Sequence, residues 1–376
     1  MTGVIPMVNA RYIMIGGFLG AGKTTAMLRL AHHLVSEGRT VGLITNDQST
    51  GLVDTALVRA NGLPVAEITG GCFCCRFQSL MEAAANLTKA SAPDVFLAEP
   101  VGSCTDLRAS VAYPLRRLYG DQFSVAPLSV LIDPVRTLRI LGLEPGKAFA
   151  PKVHYVYRKQ LEEADIIVIN KCDLIDETRL EKLKGALAAQ FPRAEVFPIS
   201  ALHSQGLEPW FGKMLDGELA SFTAPDLDYV TYAEGEALLG WCNATVQLES
   251  EEPFDGNAVL RELAAEVRTR LADAGVEIAH FKMTLTPDED AGDIGVINLV
   301  RGDSEPFMAH MLAADLSSGE LIANLRAEGD PGLLYATFTA ALGKEVSNRH
   351  RLKVRLVHSE HFRPPKPVPT YRLAEA

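Results

Sequence analysis

Directly after the apolar run Tyr12-Ile13-Met14-Ile15, the chain reads Gly17-Phe18-Leu19-Gly20-Ala21-Gly22-Lys23-Thr24-Thr25. This spacing of two glycines, a lysine and a threonine constrains the chain to a buried strand, a phosphate-cradling turn and a helix, in that order. The glycines let backbone N–H groups turn inward, and the helix adds its positive N-terminal end. Lys23 supplies a point charge, and the Thr24 hydroxyl is suited to Mg²⁺. Gly17, Gly20, Ala21, Gly22, Lys23, Thr24 and Thr25 are therefore the candidate phosphate-binding set. The segment predicts a bound nucleoside triphosphate.

The rest of the chain limits what surrounds that loop. Its 376 residues suggest two domains, and 47% hydrophobic with 22% charged residues describes a globular protein with ample core. A net charge of −11 argues against nucleic acid or an anionic membrane as main partner. No apolar run has the length needed to span a bilayer, and no secretory signal is evident. Six cysteines, three of them within four positions, fit thiols kept reduced for metal or redox chemistry, with the cytoplasm as the expected compartment.

Apolar strands alternate with amphipathic helices over about the first 210 residues, the pattern of a parallel sheet covered on both faces. Strands are expected at Arg11–Gly16, Thr40–Thr45, Pro64–Thr69, Asp94–Ala98, Ala126–Asp133, Asp165–Asn170 and Ala194–Ser200. Helices are expected near Lys23–Glu37, Ser79–Ala90, Asp106–Tyr119 and Asp176–Gln190. Periodicity fades around Leu215–Glu236. Beyond it, strands near Gly240–Leu248, Val276–Thr284, Gly292–Arg301 and Leu352–Val357, a further strand pair, and helices near Gly256–Ala274 and Pro331–Leu342 predict antiparallel strands with helices on one face. The expected boundaries are a nucleotide-binding domain over 1–215, a linker over 216–236, and a smaller α+β domain over 237–376. The end Arg363-Pro364-Pro365-Lys366-Pro367-Val368-Pro369 reads as extended and polyproline-like.

Asn170-Lys171-Cys172-Asp173 closes the strand Ile166–Ile169. An aspartate at position 173 can accept from the N1–H and N2–H₂ edge of guanine, whereas adenine offers no matching donor pair. Asn170 and the Lys171 stem would support base and loop, and Ser200-Ala201-Leu202, after the next strand, fits a backbone-donor loop closing over guanine. Glu99-Pro100-Val101-Gly102 ends another strand, where a carboxylate is placed to hold Mg²⁺ or to orient the attacking water. Lys23, Glu99 and Asp47 are thus catalytic candidates, and Thr24 and Glu99 the Mg²⁺ candidates. Asp47 is a candidate switch residue, and reads equally well as a turn or cap aspartate.

Gly70-Gly71-Cys72-Phe73-Cys74-Cys75 gathers three thiols behind two glycines, able to converge on one soft or borderline cation. Cys104, five positions after Glu99, would approach them only if two loops meet.

Taken together, these motifs resemble the CobW-type GTPases, grouped with the nickel-insertion GTPases of hydrogenase and urease. The resemblance rests on the phosphate loop, Glu99-x-x-Gly102, Asn170-Lys171-x-Asp173 and Cys72-x-Cys74-Cys75, and covers about the first 210 residues. It implies a doubly wound, mostly parallel α/β P-loop GTPase domain followed by the smaller α+β domain, slow GTP hydrolysis to GDP, and a zinc or cobalt cargo delivered to a client metalloprotein. A GTP-gated activator of a metalloenzyme or cobalamin enzyme, carrying no metal itself, is the alternative. Two departures stand out. The family's Asn-Glu-Phe-Gly-Glu run is here Asn46-Asp47-Gln48-Ser49-Thr50, and the second domain lacks a histidine-rich stretch. Phe18 stands where some dimeric relatives insert a second lysine, which leaves a homodimer open.

Overall fold

The computed structural model describes residues 9–46, 53, 61–290 and 292–375. Asp47, Gln48, Ser49 and Thr50 lie outside the described residues. The chain divides into two compact units. The first takes in residues up to 46, then Leu63–Tyr232 and the tail from Pro367; the second is built on Ala233–Lys366.

The first unit is one parallel sheet of eight strands: β1 (Ala10–Gly17), β2 (Val41–Asn46), β3 (Val65–Ile68), β4 (Val95–Glu99), β5 (Phe123–Val125), β6 (Ser129–Ile132), β7 (Ile166–Ile169) and β8 (Glu195–Pro198). Their order is β3-β2-β4-β1-β6-β7-β8, with β5 beside the start of β1. Every residue of β2, β4, β6 and β7 is buried, and all of β1 except Arg11. Burial on both faces is why these strands read as unbroken apolar runs rather than alternating ones. The edge strands β3 and β8 are mostly half-buried. From β1 the chain first winds outward through β2 and β3, returns at β4, then continues on the far side through β6. The C-terminal end of β1 therefore sits at the topological switch point, where open parallel sheets bind ligands.

Three local expectations are corrected. The strand read as Ala126–Asp133 begins only at Ser129, because Pro127 cannot donate to the ladder; the separate strand β5 precedes it. The helix read as Asp106–Tyr119 starts with a widened π-turn, Arg108–Ala112, before regular helix at Tyr113–Tyr119. Pro114, which has no N–H, is the second residue of that regular helix. Helices Pro134–Ile140, Pro151–Glu162 and Leu207–Asp216 also fill stretches read as connections. Two of them open on proline, whose missing N–H is harmless in a first turn.

The second unit is a six-stranded antiparallel sheet: β9 (Leu239–Phe254), β10 (Glu277–Pro287), β11 (Gly295–Leu299), β12 (Phe307–His310), β13 (Leu316–Glu328) and β14 (Lys353–Phe362), ordered β12-β11-β10-β13-β9-β14. Helices Gly256–Asp273 and Pro331–Ala340 pack on one face. Leu260, Leu263 and Val267 meet Val246, Phe281, Met283, Leu321 and Leu325 in a core from which water is excluded. Asp255 caps the first of these helices by accepting from the Ala258 N–H. Among the described residues, no helix is long and apolar enough to cross a membrane.

Candidate functional site

β1 ends in the glycine-rich loop, and α1 (Lys23–Ser36) follows at once. Gly17 and Gly22 have φ of 127° and 88°, a region that strains residues with a Cβ. Space forbids one as well. A Cβ on Gly17 would stand 2.2 Å from Leu131 O, and one on Gly22 would stand 2.4 Å from Asn170 Nδ2. No side chain caps the N-terminus of α1, so its first amides face the loop as anion donors.

Three polar side chains from two elements converge beside this loop. Lys23 Nζ lies 3.7 Å from Glu99 Oε1, and the Thr24 hydroxyl donates to the same oxygen at 3.2 Å. All three residues are buried, with Glu99 at the end of the adjacent strand β4. A lysine, a hydroxyl and a carboxylate in one dry corner form a charge-balanced set. Its two hard oxygen donors, Thr24 Oγ1 and Glu99, suit Mg²⁺ held with phosphate. Gly102 completes the corner: a Cβ there would lie 3.0 Å from Lys23 Nζ, so this backbone passes directly over the phosphate loop.

The residues read as guanine-selecting gather at the ends of β7 and β8. Asn170 Nδ2 donates to Ala21 O at 2.8 Å, while its Oδ1 accepts from Lys171 N and Ala201 N. Lys171 sits at φ 59° and bonds Gly20 O and Asp133 Oδ2. Both side chains thus staple the base-side loops to the phosphate loop. Asp173 is an exposed residue whose side chain is partly covered, with His203 Nε2 at 3.8 Å from its carboxylate. Ser200 is buried and bridged to Gln205. The Ala201 N–H, read as a donor to guanine, is taken here by Asn170. Thr25 is the next residue of the first turn of α1.

The cysteine loop runs from β3 to α2 (Phe77–Ser91). Gly70 and Gly71, at φ 73° and 151°, bring the chain back on itself. Asn46, at the end of β2, holds the turn with three bonds: Nδ2 to Ile68 O and Gly71 O, and Oδ1 from Phe73 N. The thiols then meet. Cys72 Sγ is 2.8 Å from Cys74 Sγ and 3.2 Å from Cys75 Sγ, and Cys74 to Cys75 is 3.5 Å. All three sulfurs lie within the span of one ion's ligand shell. Hydrogen bonding with the thiols of Cys104, Cys74 and Cys75 holds Cys72 well below the usual thiol range. The hydrogen bond with Cys72 pushes Cys74 well above that range and Cys75 up to about 11. A metal bound here would take these sulfurs as thiolates and displace their protons.

Several contributors escaped the sequence reading. Asp133, which accepts from Lys171, also caps the helix Pro134–Ile140 through the Arg136 N–H. Its position at a strand end before proline is a recognisable cap signal. Gln160 and Glu163, on and just after an unanticipated helix, clamp the loop after β4. The C-terminal tail crosses the cysteine loop: Val368 N–H donates to Cys75 Sγ at 3.2 Å, and Thr370 N–H to Cys74 O at 2.8 Å. Tyr371 sets its ring edge on Phe77, and Arg372 pairs with Asp106.

The chain is similar in sequence to several known proteins. The zinc chaperone YeiR of Escherichia coli is 34% identical over 163 residues, 43% of this chain and 46% of the relative. The zinc chaperone CobW of a Sinorhizobium species is 26% identical over 199 residues, 48% of this chain and 56% of the relative. The chain spans about half the length of these curated relatives. The structure of HypB from Helicobacter pylori in complex with nickel aligns with a TM-score of 0.41 and 20% identity, over 55% of this chain and 86% of HypB. The model of the CobW/HypB/UreG nucleotide-binding domain matches residues 11–198, half of the sequence, and on that match the chain belongs to the CobW/HypB/UreG family.

Proposed function

We propose that this protein is a GTP-hydrolysing metallochaperone that binds a transition metal, zinc before cobalt, and delivers it to a client metalloprotein in the cytoplasm. The observation that carries this reading is the meeting of three thiols on the same sheet that bears the Lys23–Thr24–Glu99 corner. Two named zinc chaperones among the relatives support zinc as the cargo.

The chemistry follows from the residues. Backbone amides of the glycine loop and the start of α1 would hold the phosphates, and Lys23 would offset the charge that builds on the transferring phosphoryl group. Thr24 and Glu99 would hold Mg²⁺, which when bound neutralises phosphate charge. Asp173 would accept the guanine edge and so reject adenine. Asp47, as a switch residue, belongs to the same reading. Gly102, against Lys23, is the backbone that would register whether the γ-phosphate is present. Cys72, Cys74 and Cys75 would hold the cargo.

The test is the affinity for Zn²⁺ and Co²⁺, by competition with a chromogenic chelator, under Mg·GDP and under a non-hydrolysable Mg·GTP analogue. A tenfold difference, about 1.4 kcal/mol, is the expected result, and the coupling must be reciprocal. Tight metal binding indifferent to nucleotide would make the cysteines structural. No binding at all would leave the GTP-gated activator, a reading that the Dictyostelium discoideum relative named as a zinc-regulated GTPase metalloprotein activator keeps in view.

A further inference from the structure

The loop leaving β4 presses its backbone into the phosphate loop at Gly102, where a Cβ would stand 2.9 Å from Leu19 Cδ2 and 3.0 Å from Leu19 N. A glycine is conformationally free unless something outside it holds its peptides. Gln160 does so. It is 2% exposed, and its Nε2 donates to Gly102 O at 3.0 Å and to Cys104 O at 2.8 Å. Both amide hydrogens are spent on carbonyl oxygens, which only accept, so neither a carboxylate nor an apolar side chain of the same shape can replace the amide. The Cys104 N–H closes onto Val101 O at 3.0 Å, which places both anchored carbonyls on one tight turn. The same helix, Pro151–Glu162, also reaches the phosphate loop. Tyr157, three residues before Gln160 and buried with it, sets its ring 5.4 Å from that of Phe18, and its hydroxyl is 2.6 Å from Thr137 Oγ1. One helix therefore grips both the phosphate loop and the turn packed against it.

We propose that Gln160 is a positioning residue for GTP hydrolysis, which fixes the Gly102 backbone against the phosphate loop and so sets the preference for the triphosphate over the diphosphate. The assignment rests on the reading above in which Gly102 registers the γ-phosphate. Gln160 touches no reacting atom and acts through the peptides it holds. A backbone held in place before the ligand arrives loses little freedom on binding, which favours the ligand that reaches it. GDP has no γ-phosphate and gains nothing from that order. The helix serves as the fixed reference because Val153, Val156, Tyr157, Gln160 and Leu161 are all buried along it.

Equilibrium titration of the full chain with a non-hydrolysable Mg·GTP analogue and with Mg·GDP tests this. Gln160→Met keeps the volume and removes both donors. Its affinity for the analogue should fall about tenfold, with GDP affinity retained within about twofold as the check on folding. Gln160→Glu, which sets a carboxylate against two carbonyls, should lose more. An analogue-to-GDP affinity ratio in Gln160→Met equal to that of the parent protein would make Gln160 a packing residue and overturn the assignment. Gly102→Ala, whose Cβ would stand 3.0 Å from Lys23 Nζ, separates the two readings. If it lowers the ratio and Gln160→Met does not, the positioning role alone falls; if it leaves the ratio unchanged, both fall. Hydrogen exchange on the unaltered protein needs no variant. Residues 100–105 should gain protection under the analogue relative to GDP, while residues 153–161 stay equally protected under both. A helix that loosens together with the loop would overturn its role as the fixed reference.

Discussion

The Val368 N–H donates to Cys75 Sγ at 3.2 Å, joining two residues 293 positions apart. Cys75 is the most accessible of the three clustered thiols, and the tail passes over its exposed side, anchored by Thr370, Tyr371 and Arg372. Truncation after Lys366 should therefore expose that sulfur. Labelling of Cys75 by an alkylating reagent is expected to accelerate about tenfold, the equivalent of 1.4 kcal/mol of lost protection. Mass spectrometry of the modified peptide reads it out, and an unchanged rate in a truncated, folded protein would remove the tail from the site.

Glu99 shares one oxygen between the Thr24 hydroxyl and the Lys23 ammonium. Glu99→Gln keeps the shape and removes the charge. GTP turnover should drop on the order of a hundredfold, while GDP affinity changes only a few-fold. Single-turnover hydrolysis with equilibrium nucleotide titration separates the two. Equal losses in both would mean that Glu99 only builds the corner.

Asp173 stands exposed at the base-side loop, while Asn170 and Lys171 are spent on holding the phosphate loop. Base choice then falls on one carboxylate. Asp173→Asn should cut the preference for GTP over ITP, which lacks the N2 amine, by roughly 1.5–3 kcal/mol for bonds to a charged acceptor. Competition binding of the two nucleotides measures it. A preference that survives the substitution would assign guanine recognition elsewhere.

Glu163 sets a pH dependence. Wholly buried, it is pushed up to about 8 by desolvation, although Thr105 and the Arg108 N–H donate to it. In the folded protein it keeps its proton where the unfolded chain, with an ordinary carboxyl, has lost it. Its contribution to stability is thus full below about pH 4.3 and disappears as pH rises through 8. Within that window each pH unit lowers stability by up to about 1.4 kcal/mol. Denaturant unfolding of the parent protein and Glu163→Gln between pH 5 and 8 should show the parent falling relative to the variant. Parallel curves would contradict the assignment.

Much of the nucleotide corner was legible because it is local. A glycine loop, a lysine and two threonines between strand and helix need only a dozen consecutive residues, and the geometry of Gly17 and Gly22 shows why no other residue serves there. The three thiols were legible for the same reason. Helices Pro134–Ile140 and Pro151–Glu162 were not, since only about half of the latter faces the core and its polar residues blur the period. The break at Pro127 was visible in the residues and outweighed by the apolar run around it.

Strand and loop identities were determined by the sequence itself, because burial on both faces, glycine backbone freedom and proline's missing donor act within a few residues. Tertiary structure alone decided that Gly102 lies against Lys23 and that Val368 covers Cys75. Each of these depends on strand order in the sheet and on clamps such as Gln160 and Arg372, contacts between residues far apart in the chain that no local pattern encodes.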